Sequence, residues 1–136
     1  MNPINIDVLE KKKIIILQEI ELLKRIAATP VDSSTDILIR HALCHSMQNA
    51  ISAVINMAQH IVSEKSDSVP ESYSEAIPQL GLIGSLLEEF ASEFSRVAKL
   101  RNVLVHLYDS VDINFIFSLL PKFLKDVKRF LKELVY

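Results

Sequence analysis

Four polar side chains in the stretch Leu100 to Tyr108 interrupt an otherwise regular apolar rhythm: Arg101, Asn102, His106 and Tyr108. An imidazole can give or take a proton near neutral pH. A guanidinium is always charged and presents a fixed fork of donors that matches phosphate oxygens. Ile83, Leu87, Phe90, Phe94 and Val97 recur at three- and four-residue steps, and Arg101, Leu104 and Tyr108 continue them. On a helix this puts a cation and a phenol in an apolar stripe. Burying that cation costs on the order of several kcal/mol unless it is paired or reaches a wet cleft. Asn102 and His106 are one helical turn apart, so the amide can orient the imidazole. Arg101 and His106 are not neighbours: on a straight helix they are separated by about 140° around the axis. Either the helix breaks near here or the two groups meet across a dimer axis. Each residue also has a plain structural reading. Arg101 can pair with Glu88, Glu93 or Asp109, His106 can flank a helix, and Tyr108 can sit at the edge of a core.

The elements that must position these residues read as helices. The first is expected from an N-cap at Asp7 to about Ala28, where Thr29-Pro30 ends it, with Leu9, Ile16, Ile20, Leu23 and Ala27 buried. Asp32-Ser33-Ser34 supplies capping residues for a second, long helix to about Glu64. Between His41 and Ser63 it carries no Asp, Glu, Lys or Arg. Its three His, two Gln and two Asn argue against a membrane span. His41, His45, Gln48, Ser52, Asn56 and Gln59 share one ribbon, and Leu43, Met47, Ala50, Val54, Met57 and Ile61 lie opposite as the core side. An uncharged polar ribbon suggests partial burial, at a dimer interface or in the cleft beside Arg101 and His106. His41 and His45 flank Cys44 at a spacing that can bind zinc, but no third ligand follows. His60 reads as a helix-flank histidine.

Lys65 to about Ser74 is the main loop, and a helical turn around Tyr73–Ile77 precedes Pro78. Pro78 opens a third helix expected to run to near Leu107, with Gly81 and Gly84 in its first turns. Asp112 caps a fourth, to about Leu134, with Ile113, Ile116, Leu120, Phe123, Leu124, Val127, Leu131 and Leu134 as its stripe and Pro121 bending it. Phe115, Leu119 and Phe130 broaden that apolar face. The sum is a single all-α domain over residues 1–136, a four-helix up-and-down bundle with one additional helical turn, and its apolar surplus points to dimerisation.

Composition narrows the function classes. At 136 residues the chain can bury a real core, and two Gly and no Trp argue against a fold of many hairpins. One cysteine excludes an internal disulfide and fits a reducing cytoplasm. Asp7 and Glu10 before Lys11-Lys12-Lys13 do not make a signal peptide. A net charge of −2 makes any RNA contact a matter of local charge. Arg96, Lys99 and Arg101 form one basic cluster. Lys122, Lys125, Lys128, Arg129 and Lys132 form another, which reads as a solvated helix face.

The eight-residue form Arg101-Asn102…His106-x-Tyr108 resembles the motif of the HEPN superfamily, and most closely its HepT-like branch. The resemblance extends to Met47-Gln48-Asn49-Ala50, to Ala58-Gln59-His60-Ile61-Val62 and to Tyr108-Asp109-Ser110-Val111-Asp112. It implies a helical dimer that cleaves RNA through Arg101 and His106 without a cofactor or metal. It further implies a toxin of a type II/VII-like toxin–antitoxin pair, partnered by a minimal nucleotidyltransferase antitoxin that places AMP on Tyr108, with no role for DNA or membrane. Asn102 supports the site. Leu107 and Ser52 depart from the family, which often has acidic residues at both positions.

Metal-free RNA cleavage needs a base for the 2′-hydroxyl, an acid for the leaving oxygen, and positive charge on the phosphorane. His106 can serve one proton-transfer role at a time, so two chains facing each other would supply both. The alternative is an inactive HEPN-type module that binds RNA or a nucleotidyltransferase. A structural dimerisation domain is the third reading.

Overall fold

The computed structural model describes residues 5–30, 37–66, 72–106 and 112–136. Among the described residues the fold is all-α, with six helical segments: α1 Ile6–Ala27, α2 Ile37–Ser66, α3 Tyr73–Leu82, α4 Glu88–Phe94, α5 Val97–His106 and α6 Ile113–Glu133. α3, α4 and α5 together take the place of the third helix of a four-helix bundle. α2 lies at the centre, packed on α1, α3 and α5, and α6 closes against α1. No helix among the described residues is long and apolar enough to cross a membrane.

α1 begins two residues earlier than its sequence suggests. The N-cap is Asn5, whose side-chain oxygen accepts from the Val8 N–H at 3.3 Å, while Asp7 sits in the first turn, where its charge suits the helix dipole. His60 Nε2 accepts from the Asn5 N–H at 3.3 Å, tying the start of α1 to the far end of α2. Leu9, Ile16, Ile20 and Leu23 are buried as expected; Ile26 follows them inward instead of Ala27, which is exposed. The stripe advances by three residues at its last step, so the larger side chain takes the core position.

All six residues assigned to the core side of α2 are buried, and Ile51, Ile55, Ala58 and Val62 join them. The polar ribbon is graded: His41 and His45 are exposed, whereas Gln48, Ser52, Asn56 and Gln59 are half-buried. Ser46 is buried and donates to the Glu19 carboxylate of α1, which Asn49 also approaches. The capping stretch 32–34 lies outside the described residues.

The expected third helix is broken twice. It does not begin at Pro78. α3 starts at Tyr73 after an N-cap at Ser72 and carries Pro78 inside it. Proline forfeits one backbone hydrogen bond there, and the burial of Ala76, Ile77 and Leu80 holds the helix regardless. α3 then ends in a Schellman arrangement. Ser85 N–H bonds the Leu80 carbonyl at 2.9 Å, Gly84 N–H bonds the Gly81 carbonyl at 3.2 Å, and Gly84 takes a φ of 79°. Gly84 is therefore a helix terminator, not a residue of a first turn. Ile83 and Leu87 fall in the connection, so the stripe proposed from Ile83 to Tyr108 does not lie on one helix. The second break follows Phe94, where Ser95 donates to the Ser92 carbonyl at 2.6 Å.

α6 runs as expected from its Asp112 cap, which accepts from the Asn114 N–H at 3.0 Å. Phe130 is fully buried and lies 5.4 Å from Phe94, centroid to centroid. Leu124, Leu131 and Leu134 are half-buried flanks, and Phe115 faces outward. The basic residues of α6 form the solvated face anticipated for them. Lys122 pairs with Glu93 and Asp126, and Arg129 pairs with Glu133 while covering the Phe90 ring at 4.2 Å.

Candidate active site at the α2–α5 contact

α5 crosses the polar ribbon of α2 antiparallel to it, and two hydrogen bonds fix the register. Gln48 Nε2 donates to the Leu104 carbonyl at 3.4 Å, and Arg101 Nε donates to Ser52 Oγ at 3.0 Å. Leu104 is fully buried and anchors α5 between them. The middle of the uncharged ribbon is thus the bed on which the motif helix rests. This explains its lack of formal charge: a carboxylate or ammonium here would be half-buried and in need of its own counterion.

Arg101 is half-buried. The Ser52 hydroxyl holds its Nε, and its Cζ lies 5.0 Å from the centroid of the Tyr73 ring, contributed by the first turn of α3. Among the described residues no carboxylate pairs with it. Of the acids considered above, Glu93 is engaged by Lys122, Glu88 is exposed on α4, and Asp109 lies outside the described residues. Arg101 is therefore gripped by two neutral groups that keep its full charge. Ser52 therefore orients the guanidinium without neutralising it.

His106 is the last residue of α5, on the same unbroken helical segment as Arg101. The two breaks lie upstream of Arg101, so they do not reduce the angular separation between the two residues. Asn102 is exposed, one turn before His106. Tyr108 and Leu107 lie outside the described residues. The upstream basic cluster does not converge on the site. Lys99 is exposed, and Arg96 lines a separate groove of about 230 Å³ between α4–α5 and α6, with Phe94, Lys122 and Asp126.

The spacing of His41, Cys44 and His45 does not make a cluster. Cys44 is turned into the core, where burial pushes its thiol up from the ordinary range, while both imidazoles face outward. Tyr73 is the site residue that the sequence did not reveal. It lies two helical segments before Arg101, on α3 rather than α5, and no local spacing links the two.

Comparison with known proteins agrees with this architecture. Residues 16–134 match the HepT-like family, described as ribonuclease HepT-like. The mRNA nuclease HepT of Shewanella oneidensis is 21% identical over 112 residues, spanning 80% of this chain and 84% of that protein. The tri-AMPylated HEPN toxin of the same organism, solved in complex with its MNT antitoxin, superposes with a TM-score of 0.84 at 19% identity over 97% of this chain and 96% of that one. A toxin–antitoxin crystal structure with AMP-PNP gives a TM-score of 0.84 at 17% identity, covering 93% of this chain and 96% of that one. These likenesses fix the fold, and the match over residues 16–134 fixes the family: the chain belongs to the ribonuclease HepT-like family.

Proposed function

We propose that this chain is the ribonuclease toxin of a toxin–antitoxin pair, acting in the cytoplasm as one domain that cleaves RNA without a metal. Arg101 and His106 carry the reaction. The 2′-oxygen attacks the adjacent phosphorus, and the bond to the 5′-oxygen breaks, leaving a 2′,3′-cyclic phosphate and a 5′-hydroxyl. One imidazole takes the 2′-hydroxyl proton and another gives a proton to the leaving oxygen. Two copies of His106, facing each other across a homodimer cleft, fill both roles. Arg101 supplies charge to the phosphorane through its Nη nitrogens. Asn102 orients His106.

Control falls on Tyr108. An MNT-type nucleotidyltransferase partner transfers AMP to it, adding bulk and negative charge two residues from His106. RNA phosphate is then repelled and occluded.

The observation that carries this reading is the state of Arg101: half-buried, held at Nε by Ser52 and over the Tyr73 ring, and facing no carboxylate among the described residues. A guanidinium kept so at a cost in desolvation is prepared for an anion. The test is RNA cleavage by purified protein in the presence of a chelator. Arg101→Ala and His106→Ala should each lower the rate by about 10²–10⁴-fold. RNA binding with no cleavage by the unmodified wild type would instead support the inactive binding module.

A further inference from the structure

We propose that Tyr73 is a positioning residue of the Arg101 site: its ring holds the guanidinium plane in the orientation that presents both Nη nitrogens to the scissile phosphate. This deepens the reading of Arg101 above and rests on it.

The argument begins with what Ser52 leaves undone. A single hydrogen bond from Nε to a hydroxyl fixes one edge of the guanidinium, at 3.0 Å. The group can still turn about that bond, so the Nη pair sweeps an arc. Arginine has four rotatable side-chain bonds and loses little entropy only when its fork is held in place beforehand. A second restraint must come from a different direction and must not neutralise the charge. An aromatic face meets both conditions, because its quadrupole attracts the cation without accepting a proton or cancelling the charge. Tyr73 supplies such a face at 5.0 Å. It arrives from the N-terminus of α3, while Ser52 comes from the middle of α2, so the two restraints belong to different elements.

Tyr73 is also placed where it has little else to do. It is 42% exposed, in contrast to the buried Ala76, Ile77 and Leu80 that hold α3 against the core. A tyrosine kept mainly for packing would be expected on that buried face. Its neighbours Ser72 and Ser74 bond each other at 3.0 Å, bracketing the first turn from which the ring projects.

Three variants separate an aromatic role from a packing role. Tyr73→Phe keeps the ring, Tyr73→Leu keeps comparable apolar bulk without a π face, and Tyr73→Leu in an Arg101→Ala background asks whether the effect passes through the guanidinium. Steady-state cleavage of a short RNA should show kcat lowered about 5- to 100-fold in Tyr73→Leu. KM should stay within about twofold, and Tyr73→Phe should lie within about twofold of wild type. Against the Arg101→Ala background Tyr73→Leu should cost nothing further.

An activity-independent readout accompanies the kinetics. In ¹⁵N-labelled protein the Arg101 Nε–H resonance should carry a ring-current shift that persists in Tyr73→Phe and vanishes in Tyr73→Leu. Wild-type kinetics in Tyr73→Leu overturn the proposal. So does a rise in KM with kcat unchanged, which would make the ring a direct substrate contact. So does an Arg101 resonance indifferent to the ring. Absence of cleavage in the wild type as well as in Arg101→Ala is a different result: it removes the ribonuclease reading, and the proposal falls with it.

Discussion

Gly81→Ala is expected to destabilise the protein, although alanine is the best helix former and glycine among the poorest. Gly81 lies in the last turn of α3. Considered locally, adding a methyl in a helix stabilises by about 1 kcal/mol. The surroundings reverse that sign. A Cβ at position 81 would stand 3.0 Å from the Glu88 Cα and 3.1 Å from the Ala91 Cβ, where α4 passes over the end of α3. The nearer atom is backbone and cannot swing aside, so the two helices must separate. Overpacking of this kind costs about 1–3 kcal/mol, leaving a net loss of about 1 kcal/mol after the helix gain. For a domain of this size that is a Tm lower by about 4 °C. Thermal unfolding followed by circular dichroism reads it directly, and Gly81→Val should fall further. Gly84→Ala is the companion case with a different cause. A Cβ there meets nothing within 4 Å, but the φ of 79° costs an L-residue about 1–2 kcal/mol. Gly84→Asn, which tolerates that conformation, should lose less. A Tm raised by Gly81→Ala would refute the reasoning, for it would mean that intrinsic propensity and not the α3–α4 crossing governs this position.

Asp112→Ala removes the acceptor for the Asn114 N–H at the start of α6 and should cost about 1 kcal/mol, measured as a lower urea midpoint with an unchanged slope. Cys44 is 1% exposed and its thiol is pushed up by burial, so a thiol reagent should label it slowly in native protein and rapidly in urea. Rapid native labelling would place that turn of α2 outside the core. Lys122 beside Glu93 holds the glutamate below its usual 4.5, so this group favours the fold above that pH and the contribution is lost as pH falls through the lowered value. Lys122→Ala should therefore reduce the acid sensitivity of the urea midpoint, with no change in its direction.

Much of this structure was legible because it follows from period alone. The core side of α2, the extent of α6 and its Asp112 cap, and most of the α1 stripe are one-dimensional patterns, and burial obeyed them. The third helix was misread for a local reason. Ile83-Gly84-Ser85 is a helix stop when glycine adopts the left-handed conformation, yet the apolar spacing runs through it as though it were helical. Pro78 misled in the other direction. It looked like a beginning because proline favours first turns, and tertiary burial of its neighbours carried the helix across it. The motif could be read from spacing, and so could the ribbon that supports it, since an uncharged polar face implies something half-dry beside it. Tyr73 could not be read, because its pairing with Arg101 depends on how α3 folds back over α2 and α5.

The continuity of α5 bears on the proposed partnership of Arg101 and His106. A break between them would have allowed both to turn toward one phosphate within a subunit. The breaks instead fall at residues 83–87 and after Phe94, and α5 runs unbroken from Val97 to His106. A continuous helix keeps the two residues about 140° apart around its axis. One copy therefore points its cation toward α2 and Tyr73, while position 106 falls on a different side of the helix axis. This geometry favours a composite cleft for the same reason that proton bookkeeping does. Two helix ends meeting about a twofold axis can set the guanidinium of one copy near the imidazole of its partner, which a single straight helix cannot do. The two arguments are independent, since one counts protons and the other measures rotation, and both favour the proposed second chain.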